Sequence, residues 1–192
     1  MKVVIIDYGA GNIQSIRFAL ERLGATAVLS DDAEEIRHAS HVIFPGVGEA
    51  SYTMRKLTAT GLDTVIPLLT QPVLGICLGM QLMCHSSEEG NTKGLGIFDT
   101  EVVRFRTDLN VPHMGWNTVD GTGKLFLGIP QNSHFYLVHS YYANVCNVTS
   151  ATCSYGLPFS ASLEYNNFYG TQFHPEKSGE VGATLLQNFL DL

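Results

Sequence analysis

Two short segments of this 192-residue chain carry side chains that can do covalent chemistry. The first is Pro72-Val73-Leu74-Gly75-Ile76-Cys77-Leu78-Gly79-Met80-Gln81, an apolar run that ends on a cysteine between glycines; the second is Thr171-Gln172-Phe173-His174-Pro175-Glu176. Together they supply a nucleophile, a base and an orienting carboxylate, the logic of a catalytic triad. The G-x-C-x-G pattern is the thiol version of a strand-to-helix nucleophile elbow. Gly75 and Gly79 are expected to allow a turn tight enough to lift the cysteine side chain above the sheet. A helix beginning after Cys77 would set its sulfur near a positive dipole end, which favours the thiolate. In the second segment Pro175 interrupts a strand ladder. An extended chain there puts residues two apart on one side, so that Glu176 lies beside His174. A lone cysteine is most often a small buried hydrophobe, and a lone histidine at a strand end is usually structural. It is their joint occurrence with the elbow glycines that points to catalysis.

The surrounding pattern indicates what positions these groups. Residues 3–6 are apolar throughout, as in a parallel strand covered on both faces. Ile16, Ala19, Leu20 and Leu23 then recur at helical spacing, with Gly24 as the stop. Residues 26–29, 41–44 and 73–76 read as further strands, the last two ending at Pro45-Gly46-Val47-Gly48 and at the elbow. Strands alternating with helices predict an α/β fold: a doubly wound, mostly parallel, flavodoxin-like sheet with ligands at the carboxyl ends of its strands. All three glycine-bearing motifs fall at such ends. The second half, richer in β-branched and aromatic residues over 96–105, 135–144, 160–164 and 168–173, predicts an antiparallel or mixed extension. A last helix starts near Ser178 as N-cap and buries Val181, Leu185 and Phe189.

Length and composition favour a single domain spanning residues 1–192. Apolar residues make up 45% and charged residues 15%, as in a globular protein, and a formal net charge of −7 argues against a nucleic-acid-binding surface. No apolar run reaches the length of a membrane span, and the apolar start is too short for a signal sequence, so a cytoplasmic location is expected. The cysteines at 77, 84, 146 and 153 form no C-x-x-C pair and are expected to stay reduced. No histidine spacing suggests a metal, and no cofactor is expected. Gly9-Ala10-Gly11 lacks the third glycine of a dinucleotide loop, where Gln14 stands.

Gly75-Ile76-Cys77-Leu78-Gly79-Met80-Gln81 together with Gln172-Phe173-His174-Pro175-Glu176 resembles the triad-type, class I glutamine amidotransferases. Asp7-Tyr8-Gly9-Ala10-Gly11-Asn12, Pro45-Gly46-Val47-Gly48, Pro112-His113-Met114-Gly115-Trp116-Asn117 and His139-Ser140-Tyr141-Tyr142 narrow the resemblance to the glutaminase subunits of imidazole glycerol phosphate synthase, and it covers essentially the whole chain. The resemblance implies hydrolysis of L-glutamine by Cys77, His174 and Glu176. Oxyanion donors are then expected at Leu78 and in the Val47-Gly48 strand, whose Val47 N–H turns inward only when a partner and its substrate bind. It further implies substrate contacts from Gln81, Ser140 and Tyr141, and a heterodimer with a cyclase subunit that meets Asn12, Trp116, Tyr136 and Lys177. Where some relatives carry an acidic residue one turn past Gln81, this chain has His85. Glu88 and Glu89 lie nearby, and the sequence leaves open which group receives the ammonium of glutamine.

Two other readings are compatible with parts of the sequence. A free-standing cysteine hydrolase acting on γ-glutamyl peptides, or the glutaminase subunit of another amidotransferase, would use the same triad, but the former needs no partner surface at Trp116 and Lys177. A flavodoxin-like regulator without activity would not need Cys77, His174 and Glu176 together.

Overall fold

The structure is a computed structural model, and it describes residues 2–9 and 13–192. In chain order the elements are β1 (Lys2–Ile6), α1 (Ile13–Arg22), β2 (Thr26–Ser30), α2 (Ala33–Arg37), β3 (His41–Phe44), α3 (Ala50–Thr60), α4 (Leu62–Val65), β4 (Val73–Ile76), α5 (Leu78–Met83), β5 (Cys84–Ser87), β6 (Thr92–Lys93) and β7 (Phe98–Arg104). They continue with β8 (His113–Gly121), β9 (Ser133–His139), β10 (Tyr141–Ala143), β11 (Thr149–Ser154), β12 (Pro158–Tyr165), β13 (Phe168–Thr171) and α6 (Gly179–Leu190).

The strands run β2-β1-β3-β4-β13-β12-β10-β7-β5-β6. The first five pair in parallel; β12 and β10 are antiparallel to their neighbours, β5 is parallel to β7, and β6 closes the edge antiparallel. Off this path, β11 joins β12 to β8, and β8 forms a hairpin with β9. Because β1 sits between β2 and β3, the crossovers leave it in opposite directions and open a crevice at the carboxyl ends of β1 and β3.

The double winding is visible residue by residue. In β1, Val3 and Ile5 enter one core layer with Ile16, Ala19 and Leu20 of α1 and Leu185 and Phe189 of α6. Val4 and Ile6 enter the other with Ile36 of α2, Leu57 of α3 and Met80 of α5. That is the period-2 alternation of a strand buried on both faces. The four strands expected in the first half and the helix stopped by Gly24, which has φ of 79°, stand where the pattern placed them. In α6, Leu185 and Phe189 are buried, but Val181 is only half-buried; the buried stripe is Gly182, Leu185, Leu186, Phe189 and Leu190.

Three local differences from the sequence reading matter for the site. The segment 135–144 is not one strand: it breaks at Ser140, where the chain leaves its β8 partner and joins β7 and β12. The elbow helix stops at Met83, and Cys84 is already extended, with ψ of 174°. Neither Gly75 nor Gly79 has a positive φ; the left-handed residue is Cys77 itself, at 54°. The glycines serve close approach instead. A Cβ on Gly79 would lie 1.9 Å from the Phe44 carbonyl oxygen, and one on Gly46 would lie 2.2 Å from the Gly79 nitrogen. The end of β3 therefore lies backbone to backbone against the start of α5, and this brings the Pro45–Gly48 turn beside the thiol.

Candidate active site

Cys77 occupies a sparsely populated backbone conformation, φ 54° and ψ −110°, between β4 and α5. Its N–H donates to the Thr171 carbonyl at 2.7 Å and its carbonyl accepts from Gln81 N–H at 3.1 Å, so the strained residue is held from both sides. The chain that brings in the base is fixed as firmly. His174 N–H donates to the Tyr136 carbonyl at 2.9 Å, and the Ser178 hydroxyl donates to the His174 carbonyl at 2.7 Å while accepting from Tyr136 N–H at 3.0 Å. Ser178 does precede α6, yet its side chain is used for this clamp and caps no helical N–H.

Glu176 reaches His174, though not along an extended chain. Pro175–Lys177 form a 3₁₀ turn, for which the fixed φ of proline at the first position is preorganised. The turn sets Glu176 Oε1 2.9 Å from His174 Nδ1. Burial works against a charged ring here, but hydrogen bonds from the ring to Cys77 and to Glu176 outweigh it and lift His174 to about 10. The imidazolium therefore persists through neutral pH and is lost only as pH rises toward that value. Since the leaving ammonia must take a proton from this ring, kcat/KM for glutamine should fall on the alkaline side as that proton is lost. Glu176→Gln removes one of the supporting charges and should shift this alkaline limb to lower pH. A profile of glutamate release against pH checks it, and an unmoved limb would separate Glu176 from the titration of His174.

A cavity of about 320 Å³ opens over the thiol. It brings together Val47, Gly48, Cys77, Leu78, Gln81, Ser140, Tyr141 and His174, all expected from the sequence, and adds Glu89, Pro112, Val138 and His139. Gln81 donates from Nε2 to the Tyr141 carbonyl at 2.9 Å and to Gln172 Oε1 at 2.8 Å. Gln172, fully buried, turns its own amide toward Cys77 Sγ at 3.7 Å. Sequence reading quoted Gln172 only as part of a motif; its position two residues before His174, on the same strand end, was the available signal. Tyr8 was missed as well. Its buried hydroxyl donates to the Pro45 carbonyl at 2.7 Å. Burial and the nearby Cys77 raise its pKa, while the Val47 N–H acts on the phenolic oxygen in the opposite direction.

The acidic groups near Gln81 separate clearly. His85 lies on β5, exposed and outside the cavity, because α5 ends before it. Glu88 faces away, accepting from Arg104 N–H at 2.8 Å and from Arg106 at 3.0 Å. Glu89 lines the cavity, with Oε2 accepting from Ala50 N–H at 2.9 Å, and burial raises its pKa. Cys84 is fully buried and its thiol is pushed upward by desolvation, so it offers no competing nucleophile; all four cysteines are free thiols.

Three of the expected partner residues form one cluster beside the site. Trp116 and Tyr136 are directly opposed in the β8–β9 hairpin with ring centroids 6.1 Å apart, and Lys177 Nζ lies 5.8 Å from the Tyr136 ring centroid. Trp116 is 57% exposed and its neighbour Met114 63%, an uncovered apolar face next to a cation. Tyr136 is also the residue whose backbone holds the His174 turn. Asn12 lies outside the described residues.

Comparison with known proteins agrees with this geometry. Residues 4–192 match the family model for the class-I glutamine amidotransferases. The chain is 56% identical to an imidazole glycerol phosphate synthase subunit HisH of Bacteroides thetaiotaomicron, and 48% identical to that of Pectobacterium atrosepticum, in each case over 100% of both chains. A crystal structure of a glutamine amidotransferase from Thermotoga maritima superposes with a TM-score of 0.67 at 18% identity, covering 100% of this chain and 83% of that one, which speaks for the fold. Full-length identity of this degree, on a sheet that presents Cys77 and His174 to one cavity with Glu176 bonded to the His174 ring, identifies the chain as a member of the class-I glutamine amidotransferase family, among the HisH subunits of imidazole glycerol phosphate synthase.

Proposed function

We propose that this chain, working as one glutaminase domain over residues 1–192, hydrolyses the side-chain amide of L-glutamine and passes the ammonia to a cyclase subunit. That partner uses it to make imidazole glycerol phosphate and an aminoimidazole carboxamide ribotide in histidine biosynthesis. Cys77 Sγ attacks the amide carbon; the oxyanion forms against Leu78 N–H and a donor from Val47-Gly48. His174 gives its proton to the departing ammonia, leaving a γ-glutamyl thioester, and then takes a proton from the water that hydrolyses it. Glu176 fixes the ring and stabilises its charge. Gln81, Ser140 and Tyr141 hold the amino-acid end of glutamine, and Glu89, the carboxylate lining the cavity, receives its ammonium. Among the described residues no helix is long and apolar enough to cross a membrane, in keeping with work in the cytoplasm.

The observation that carries this reading is the attachment of the site to an exposed face. Tyr136 bonds the His174 turn through its backbone and meets Trp116 and Lys177 through its ring. Such a cluster, an aromatic pair beside a cation, has the composition of an interface anchor. The test compares glutamate released with product formed in the assembled complex. Wild type should keep the two equal, and Lys177→Ala should release glutamate in excess of product. An unchanged ratio in Lys177→Ala would remove the coupling role from this cluster.

A further inference from the structure

Beneath the exposed hairpin face lies a pair of histidines that the triad chemistry does not use. His113 and His139 oppose each other across β8 and β9, are 3% and 6% exposed, and approach with Nδ1 of His113 3.0 Å from Nε2 of His139. The pair is packed in aromatic rings: His113 stacks on Tyr155 at 4.0 Å between centroids, and Phe105 and Phe159 each stand 5.1 Å from His139.

The direction of every proton in this cluster follows from its ends. His139 Nδ1 lies 2.8 Å from the Tyr141 carbonyl oxygen, which only accepts, so Nδ1 carries the proton. Its Nε2, neutral, must then accept from His113 Nδ1–H. His113 Nε2 accepts in turn from the Asn117 amide at 3.3 Å, whose nitrogen also donates to the Ser154 carbonyl at 3.0 Å. Burial lowers the pKa of both rings, His139 to about 3, with the nearby His113 and His174 adding to the effect there. Both rings are therefore neutral at physiological pH, and the chain has one polarity, from Asn117 to Tyr141.

The chain does not stop at Tyr141. Its carbonyl also accepts from Gln81, whose second amide proton goes to Gln172, which faces the Cys77 sulfur. With both amide protons engaged, Gln81 has its carbonyl oxygen left for the cavity. We propose that His113 and His139, with Asn117, are positioning residues for the glutamine pocket: they tie β8, the strand that bears Trp116, to the orientation of Tyr141 and Gln81. A partner seated on the Trp116–Tyr136 face thereby braces the pocket that binds glutamine. This rests on the glutaminase reading of the cavity and adds residues to it.

His113→Phe keeps the ring stack on Tyr155 and removes both ring nitrogens, leaving His139 Nε2 without its donor. In the complex with the cyclase and its nucleotide substrate, this variant should raise KM for glutamine by about tenfold or more, the scale of one buried acceptor left unpaired. Stimulation by the partner should fall as well. Alkylation of Cys77 by iodoacetamide, which needs no pocket amides, should stay within about twofold, with Tm shifted by no more than about 4 °C. His113→Asn places an amide donor near the lost Nδ1 and should restore KM to within about threefold of wild type. Unchanged KM and stimulation in His113→Phe, within an active complex, would overturn the inference. So would parallel losses of Tm and alkylation in both variants, which mark a packing role only. A wild-type complex that releases no glutamate would instead overturn the glutaminase reading itself.

Discussion

Cys77→Ala is expected to lower glutamine hydrolysis on the order of a millionfold, the loss typical of removing a triad nucleophile. Cys77→Ser should be nearly as inactive, because a serine hydroxyl is intrinsically a far weaker nucleophile than a cysteine sulfur in the same place. The fold should survive both changes. Cys77 is held by backbone hydrogen bonds, to the Thr171 carbonyl and from the Gln81 N–H, that do not involve the side chain, and the residue lines the cavity. A residue with a Cβ already occupies the left-handed conformation, so alanine adds no new backbone strain there. Among the described residues no other thiol lines the cavity: Cys84 is fully buried, desolvation pushes Cys153 up to about 12, and Cys146 lies outside it. Steady-state glutamate release by each variant in the assembled complex measures the effect. Residual turnover within about tenfold of wild type in both would remove Cys77 as the nucleophile.

Turnover by the isolated chain should be slow, and the cyclase carrying its nucleotide should accelerate it by roughly a hundredfold or more. The basis lies in the turn after β3. Leu78 begins α5 and faces the cavity, so one oxyanion donor is built in. The second donor is to come from the Val47 N–H, in a turn whose start is anchored by the Tyr8 hydroxyl on the Pro45 carbonyl, and the resemblance to the family implies that this peptide turns inward when the loaded partner binds. Gly48, at φ 105°, gives the turn the backbone freedom to do so. One oxyanion donor is worth about 3 kcal/mol of barrier, which corresponds to that acceleration. Glutamate release measured with and without the loaded partner checks this, and equal rates would contradict gating by the Val47 peptide.

The elements that were legible in the sequence share one property: their signal is local. β1, β3 and β4 are buried on both faces, so each reads as an uninterrupted apolar run, and α1 carries its stripe and its glycine stop within a few turns. Cys77, His174 and Glu176 were found because the elbow and His-Pro-Glu are contiguous. What escaped depends on distant partners. The β8–β9 hairpin exposes one face, and with Gly115 and Trp116 inside β8 its pattern does not alternate cleanly. The break at Ser140 reflects a change of neighbouring strands, which no local pattern encodes. The end of α5 at Met83, which removes His85 from the site, is likewise set by the pairing of Cys84 with Phe98 on β7. Glu89 and Gln172 reach the cavity through loop and strand geometry. The His113–His139 contact joins residues from two strands whose pairing the sequence did not reveal.

The division of labour between the thiol chemistry and the use of ammonia is tested most directly by one comparison in the assembled complex carrying Cys77→Ala. Imidazole glycerol phosphate formation is measured with glutamine and, separately, with an ammonium salt at alkaline pH, where free ammonia is abundant. If Cys77 serves only to generate ammonia, the variant makes no product from glutamine and makes it from ammonium at the wild-type rate. Product from glutamine, or loss of the ammonium-driven reaction in a complex that still assembles, would contradict it.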